Sequence, residues 1–268
     1  MVVEAIGLKL SVVIPVYNEL ASLPKILNRV VLALPEVEKE IVIVDDFSTD
    51  GTREWLQDRI GNHIRVATAG CNGTVVISDE PGDRSGIANQ SPAIAAIRSI
   101  FHERNGGKGA ALRTGLRLVT GDVIVIQDAD LEYDPADWRR FWPLFANDQA
   151  DVVYGSRFHG APHRCLYFHH YIANRAISML FSLLFNQIIS DLETCYKMFN
   201  RDVLHILTLR CNDFGFEIEF SANVARQRYL RIYELGISYY GRTYAEGKKI
   251  NWKDGIKALV YIFIYRFR

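Results

Sequence analysis

The chain has 268 residues, 49% hydrophobic and 12% aromatic, with no low-complexity stretch, so it can bury one large core or two small ones as a globular protein. Its 31 basic and 31 acidic residues cancel, so no global field draws it to nucleic acid. Cys71, Cys165, Cys195 and Cys211 form no CxxC pair, which reads as free thiols in a reducing compartment, the cytosol, rather than a disulfide frame or zinc site.

The N-terminal MVVEAIGLKLSVVIP lacks the basic region, apolar core and small-residue cleavage site of a signal peptide. LKLSVVIPVYN predicts a strand that stops at Pro15, and LASLPKILNRVVLAL spaces its leucines and valines as a helix does. EIVIVDD is a second buried strand, and FSTDGTREWLQDRI offers Ser48, Thr49 and Asp50 as caps of a second helix. The order strand, helix, strand, helix implies a parallel sheet. After a weak strand near residues 64–68, AGCNGTVVISDEPGDRSGIANQSPAIAA has little periodicity and predicts a surface insertion over 69–98. The pattern resumes with GKGAALRTGLRLVTG as a helix, DVIVIQDAD as the central strand, PADWRRFWPLFAN as a helix and DVVYGSRF as a further strand, giving five or more parallel strands. No apolar run reaches the roughly 18 residues that span a bilayer. The nearest, 171–189, carries Asn174, Arg175 and Asn186.

VIVIQDADLEYDP runs a buried strand into four carboxylates. Alternation along an extended backbone lets Asp128, Asp130 and Glu132 converge, and converging carboxylates call for a hard cation such as Mg²⁺ or Mn²⁺. Asp134, just before Pro135, reads instead as a helix cap. Two more strands end in polar rims, PVYNE at 15–19 and DDFSTD at 45–50, where the ligand crevice of an open α/β sheet lies. For Asp45 and Asp46 two readings stand, ligand contact or cap of the next helix.

Taken in order, these rims resemble family 2 glycosyltransferases of the GT-A fold. GGKGAALRTGL, VIQDADLEYDP, DVVYGSRF, SDLETCYKMF, FGFEIEF and GISYYGRTYAEGKKINW are similar to successive blocks of the dolichyl-phosphate mannose synthase and polyprenyl-phosphate glycosyltransferase branch. The resemblance covers almost the whole chain and implies one GT-A (Rossmann-like) α/β domain over 1–268, a mostly parallel central sheet flanked by helices with C-terminal amphipathic helices. It also implies that Pro15, Tyr17, Glu19 and one or both of Asp45 and Asp46 cradle the nucleoside. Asp128, Asp130 and Glu132 then serve a Mg²⁺ or Mn²⁺ cofactor and the donor diphosphate, assisted by Lys108, with Arg242 and Lys248 also on the donor side. Arg157, Asp191 and Lys197 join Asp128 and Asp130 as the expected catalytic set. The departure is the segment of about thirty residues before the GKGAAL helix, which that branch usually lacks.

The activity so implied is inverting transfer of a hexose, mannose or glucose, from a GDP- or UDP-sugar to a polyprenyl or dolichyl phosphate. The metal stabilises the departing diphosphate. A lipid phosphate is already an anion and needs a cationic cradle rather than a strong base, for which Arg157, Arg164, Arg175, Lys197 and Arg242 are candidates; Arg164 and Arg175 read equally as a solvated helix face. A soluble glycan or protein acceptor, or a non-catalytic sugar-nucleotide-binding module, are the alternatives.

Other signals are set aside. NGGKGA lacks the spacing and the Ser or Thr of a Walker loop. His159, His163, His169 and His170 have neither HExxH spacing nor a cysteine partner and read as a polar loop entering a helix. Glu217 and Glu219 are expected to play a structural or supporting part.

From Arg226 onward ten basic residues face three acidic ones, a net charge of about seven positive in a neutral chain. WKDGIKALVYIFIYRFR sets Trp252, Ile256, Leu259, Val260 and Ile264 at near-helical spacing beside Lys253, Lys257 and Arg266, and 166–189 supplies a second apolar face. Segments 163–190 and 250–268 are therefore expected as membrane-surface helices on a protein peripheral to the cytoplasmic face of the membrane. The alternative for the last helix is packing on the sheet with a solvated basic face.

Overall fold

The computed structural model describes residues 7–60, 65–66, 93–160, 162–165, 167–243, 246 and 252–268, with the backbone alone at 65, 66, 252 and 253. Strand β1 (Leu10–Val16) and strand β2 (Lys39–Asp45) flank helix α1 (Leu23–Leu32), and helix α2 (Thr52–Arg59) follows. A two-residue strand β3 (Arg65–Val66) and strand β4 (Ile94–Phe101) precede helix α3 (Lys108–Leu116) and strand β5 (Val123–Ile126). Then come helix α4 (Trp138–Ala146), strand β6 (Val152–Ser156), helix α5 (Phe168–Phe185), strand β7 (Lys197–Asn200), helix α6 (Phe216–Ala225), strand β8 (Ile232–Gly236) and helix α7 (Trp252–Phe267).

The strands form one eight-stranded sheet in the order β3-β4-β2-β1-β5-β7-β6-β8. Six run parallel, while β3 and β7 are reversed. This mostly parallel sheet flanked by helices is the GT-A architecture. Strand β5 is Val-Ile-Val-Ile and buried along its length, as a central strand covered on both faces must be. From β1 the chain steps outward through β2 to β4, then returns to place β5 on the other side of β1. That reversal is a topological switch point, and the crevice it opens lies outside the carboxyl ends of β1 and β5. PVYNE and QDADLE follow those two strands.

Two boundaries differ from expectation. Strand β1 continues through Pro15 to Val16, with Pro15 paired with Val44 of β2 at the strand's end, past Val13 where the pairing with β5 stops, a position sheets allow proline. Residues 94–98, expected in the insertion, are the first part of β4, paired in parallel with β2 from Lys39 to Val42; the greater part of the expected insertion lies outside the described residues. Asp134 caps the short 3₁₀ turn Pro135–Asp137, its Oδ1 accepting from Ala136 N at 3.0 Å, as expected. At the far end of the sheet, buried Glu40 ties three elements together: Ser11 Oγ donates to it at 2.6 Å, Thr120 Oγ1 at 2.9 Å, and Lys9 and Arg98 lie at 3.6 and 3.7 Å.

Helix α7 packs on α5 and α6 rather than on the sheet. It buries Ala258, Ile262 and Tyr265 against them and leaves Ile256, Leu259, Val260, Phe263, Ile264 and Phe267 exposed. Helix α5 likewise exposes Phe168, Tyr171, Ile172, Met179 and Leu183. No helix among the described residues is long and apolar enough to cross a membrane.

Candidate active site

A cavity of about 460 Å³ opens at the switch point. Pro15, Tyr17 and Glu19 line it from the end of β1, Asp46 from β2, Asp128, Asp130 and Glu132 from β5, Arg157 from β6, and Lys257, Ala258 and Tyr261 from α7. The loops that carry these residues are held in uncommon backbone conformations. Asn18, Phe47 and Leu131, one after each of β1, β2 and β5, have positive φ (54°, 69° and 64°). Non-glycine residues adopt this region at a cost, which the surrounding hydrogen bonds must offset. Asn18 shows how: its N–H donates to Ser48 Oγ at 2.9 Å and its Oδ1 accepts from Thr49 N at 2.8 Å, lacing the first rim to the second.

Asp45 and Asp46 do different work. Asp45 is fully buried, accepts from Ser48 N at 3.3 Å and pairs with Arg53 at 3.4 Å, and it does not line the cavity. Asp46 lines it with both oxygens engaged. Oδ1 accepts from Gly106 N at 2.8 Å and lies 2.7 Å from His102 Nδ1, and Oδ2 accepts from Gly107 N at 2.6 Å. Neither caps α2, whose first turn is held by Asp50 Oδ1 accepting from Thr52 N at 3.0 Å. Gly107 must be glycine: its φ is +89°, and a Cβ there would fall 2.3 Å from the carbonyl oxygen of Asn212.

The acidic rim is crowded. Burial, with Asp128 and Glu132 close by, pushes the Asp130 carboxyl up to about 7 despite the Arg242 guanidinium. Lys108 Nζ reaches Asp128 Oδ1 at 2.9 Å and Glu217 Oε1 at 3.4 Å, and these carboxylates hold the ammonium well above its usual range although burial opposes them. Arg242 reaches Asp130 at 2.7 Å, Glu132 at 3.2 Å and Glu19 at 3.5 Å. Among the described residues nine carboxylates and four Lys or Arg side chains line the cavity. Such a site repels a diphosphate unless a cation accompanies it, and carboxylate oxygen is the donor chemistry of Mg²⁺ and Mn²⁺. The residues present therefore fit a hard divalent cation, and Asp128, Asp130 and Glu132 would hold it. No group of three or more His, Cys, Asp or Glu among the described residues is arranged to hold a metal as it stands, since lysine and arginine engage these carboxylates.

Also on the cavity wall, with Tyr239 between it and Glu132, Arg157 is gripped by Asp191. The buried carboxylate accepts from Arg157 N at 3.0 Å, Nε at 2.7 Å and Nη2 at 2.6 Å, and from Asn174 Nδ2 at 3.1 Å. Burial works against the charge on Asp191, but Arg157 overcomes it and holds the carboxyl below its usual range. Asp191 thus fixes Arg157 and does not itself line the cavity. Lys197, expected in the cationic cradle, is fully buried and bonds to Thr194 O and to Glu217 Oε2; it too lies off the cavity wall. A buried ammonium needs a partner, and Glu217 supplies it from α6. Arg164 pairs with Glu246 at 2.7 Å and Arg175 donates to Ser190 O at 3.3 Å, so both serve local structure. Lys248 lies outside the described residues.

Several cavity residues carried no expectation. Glu193 lines the cavity with no hydrogen bond or ion pair to the described residues, and its carboxyl is raised by burial, against the pull of Arg157 and Lys197 and with the push of Asp191 and Glu217. It lies in the turn SDLETC that precedes β7, where no strand or helix period marks which side chain faces the cavity. Tyr239, whose ring lies 5.2 Å from the Arg157 guanidinium carbon, donates to Glu132 Oε2 at 3.0 Å. The Asn105-Gly106-Gly107 turn was visible as a glycine pair, but its partner, Asp46, lies sixty residues earlier in the sequence.

The sequence profile of Glycosyl transferase family 2 matches residues 11–77 and 75–207. The undecaprenyl-phosphate 4-deoxy-4-formamido-L-arabinose transferase of Enterobacter sp. (strain 638) is 29% identical over 248 residues, covering 92% of this chain and 64% of that protein. Its counterpart in Serratia proteamaculans (strain 568) is 27% identical over 222 residues, 82% of this chain and 57% of the relative. The chain spans about three fifths of the length of these curated relatives. In structure it is similar to glucosyl-3-phosphoglycerate synthase from Mycobacterium tuberculosis. The complex with Mn²⁺, UDP and phosphoglyceric acid superposes with a TM-score of 0.65 at 17% identity, over 97% of this chain and 79% of that one. The complex with Mg²⁺ and UDP gives 0.64 at 16%, over 97% and 80%. The structural likeness agrees in fold, and the family profile runs from the first rim through the Arg157 and Asp191 pair to Lys197 and beyond: the chain belongs to glycosyl transferase family 2.

Proposed function

We propose that this chain is an inverting glycosyltransferase that moves a hexose, mannose or glucose, from a UDP- or GDP-sugar to a polyprenyl phosphate at a membrane surface. The observation that carries this reading is one cavity that brings the acidic β1 and β5 rims together with Arg157, locked in place by Asp191. A divalent cation held by Asp128, Asp130 and Glu132 supplies Lewis acidity for the departing diphosphate. Pro15, Tyr17 and the Asp46-anchored turn 105–107 shape the nucleoside end. Arg157 offers a preorganised guanidinium to the acceptor phosphate. A phosphate oxygen forms the new bond to the anomeric carbon from the face opposite the diphosphate oxygen as that bond breaks, and no proton needs to leave the nucleophile. Glu193, whose carboxyl burial holds above its usual range, lines the same cavity; its neutral form can donate a hydrogen bond to the acceptor phosphate, where the ionised form would repel it.

The curated relatives are named for an undecaprenyl-phosphate acceptor, which supports a polyprenyl phosphate here; their sugar is a modified arabinose, so the hexose rests on the sequence blocks. The exposed apolar side chains of α5 and α7, two helices in contact, support membrane docking beside the cavity, which α5 reaches through Asn174, a partner of Asp191. The test is nucleoside diphosphate release from a panel of UDP- and GDP-sugars, with and without a short polyprenyl phosphate, for the wild type and Asp130→Ala. Release that depends on the lipid and on Mg²⁺ or Mn²⁺, and that falls at least about a hundredfold in Asp130→Ala, is the expected result. Full activity in excess EDTA, or release that depends on a soluble acceptor alone, would overturn it.

A further inference from the structure

Every carboxylate assigned above to the divalent cation is already engaged by a cation of the protein. Asp128 holds Lys108 at 2.9 Å. Arg242 spans the other two, reaching Asp130 Oδ2 at 2.7 Å and Glu132 Oε1 at 3.2 Å, and its guanidinium also lies 3.5 Å from Glu19 across the crevice. The contact is built from backbone as well as side chain. Arg242 N donates to Glu132 Oε1 at 2.9 Å, Tyr239 Oη to Glu132 Oε2 at 3.0 Å and Tyr240 N to Glu132 O at 2.9 Å. The segment that carries Arg242 is therefore bound to the acidic loop through the residues the cation needs.

We propose that Arg242 is a displaceable counter-cation that makes metal binding depend on the donor, an inference that rests on the metal site of the proposed function. Without donor, the guanidinium neutralises Asp130 and Glu132, and a divalent ion must drive it off both, leaving it only the longer contact with Glu19 at 3.5 Å. With a nucleoside diphosphate present, the displaced guanidinium finds new anionic oxygens that its planar fork can bind in a bidentate way. Metal and diphosphate thus each lower the cost of the other's entry. By linkage the coupling is reciprocal, and couplings of this sort run from about fivefold to 150-fold. The same displacement keeps the donor-free rim from trapping divalent ions. Lys108 does not duplicate this role, since it engages one of the three carboxylates, whereas Arg242 spans two of them.

The test is a Mn²⁺ titration followed by the electron paramagnetic resonance of free Mn²⁺, on wild type, Arg242→Gln and Arg242→Lys, with no nucleotide, with UDP and with GDP. The wild type is expected to bind Mn²⁺ at least about fivefold more tightly with one of the two diphosphates than without. Arg242→Gln is expected to bind Mn²⁺ more tightly than wild type in the absence of nucleotide and to lose most of the coupling, with Arg242→Lys between them. Should Arg242→Gln fail to fold by circular dichroism, Arg242→Lys carries the comparison, because an ammonium cannot fork across Asp130 and Glu132. Unchanged or weaker nucleotide-free Mn²⁺ binding in the folded variants overturns this inference and leaves the metal site standing. Absence of Mn²⁺ binding by wild type with either diphosphate overturns both.

Discussion

Asp191 receives three hydrogen bonds from Arg157, one from its backbone and two from its guanidinium, between 2.6 and 3.0 Å. Removing one partner of so buried a pair leaves an uncompensated charge, which costs about 3–5 kcal/mol. Asp191→Ala is expected to lose stability on that scale in denaturant unfolding and to raise the KM for the acceptor more than that for the donor. The pH dependence follows from the depressed carboxyl. Its stabilisation is present above the unfolded pKa of about 3.9 and is lost as pH falls through the lower folded value. Asp191→Asn should therefore flatten the acid limb of the stability profile below about pH 4. An acid limb identical to wild type would place the pair's contribution elsewhere.

Gly107 sits where no side chain fits, with a φ of +89° and the Asn212 carbonyl in the way. Its N–H also anchors Asp46. Gly107→Ala is expected to cost about 2 kcal/mol or more, from the left-handed backbone and the clash together, and to weaken nucleoside diphosphate binding. Calorimetric titration with UDP and GDP, set beside a melting curve, separates the two effects. A variant as stable as wild type would show that the 105–107 turn is free to rearrange.

Glu193 faces Arg157, Asp191, Lys197 and Glu217, and its carboxyl is raised. For a raised acid the protonated form favours folding, so stability falls as pH rises from the unfolded pKa of about 4.3 through the folded one. Acceptor affinity is expected to fall over the same window, because the ionised carboxylate repels phosphate. Glu193→Gln keeps a donor without the charge and should remove that fall while leaving donor KM within about twofold, the size of a surface effect. Acceptor KM profiles of wild type and variant that superimpose from pH 5 to 9 would rule Glu193 out.

Co-sedimentation with anionic and neutral liposomes at low and high salt should show binding that weakens with salt and persists, since charge is screened and apolar insertion is not. Leu183 and Phe267 are 77% and 80% exposed, so changing both to Glu leaves the core intact. Each loses about 1.5–3 kcal/mol of apolar burial in the interface, and pelleting should drop at least tenfold. Equal, negligible pelleting of wild type under all four conditions would remove the membrane from the proposed function.

The sheet was legible because Val, Ile and Leu runs of strand length announce themselves, and the rims because each run ends in acid. Strand β4 was not. Its amino half, Ile94 to Arg98, follows a long Gly-, Ser- and Pro-rich segment, and only pairing with β2, some fifty residues away, marks it as strand. The same reason explains Lys197. A lysine in a motif reads as a cation for ligands until the fold brings Glu217 beneath it and buries both. Arg242 was assigned to the donor side from resemblance, yet its contacts with Asp130 and Glu132 cross 112 and 110 positions of sequence, and no spacing rule encodes them. The C-terminal helix departs from the packed alternative, since it lies on α5 and α6 rather than on the sheet and turns apolar side chains outward.

Helix α7 turns Lys257, Ala258 and Tyr261 to the cavity while Val260, Phe263 and Ile264 look outward. At roughly 100° per residue the two sets lie side by side around the axis rather than diametrically opposite, so less than the helix diameter of ~10 Å separates them. Under the proposed function this spacing would act as a ruler: the phosphate of a polyprenyl acceptor would be lifted from the bilayer by no more than the height of a single helix, so only the first few isoprene units would be handled. Everything beyond them would stay in lipid and go unread. Turnover should then rise with prenyl number only until that height is spanned and level off afterwards, leaving chain-length selectivity to whatever lipid the membrane supplies.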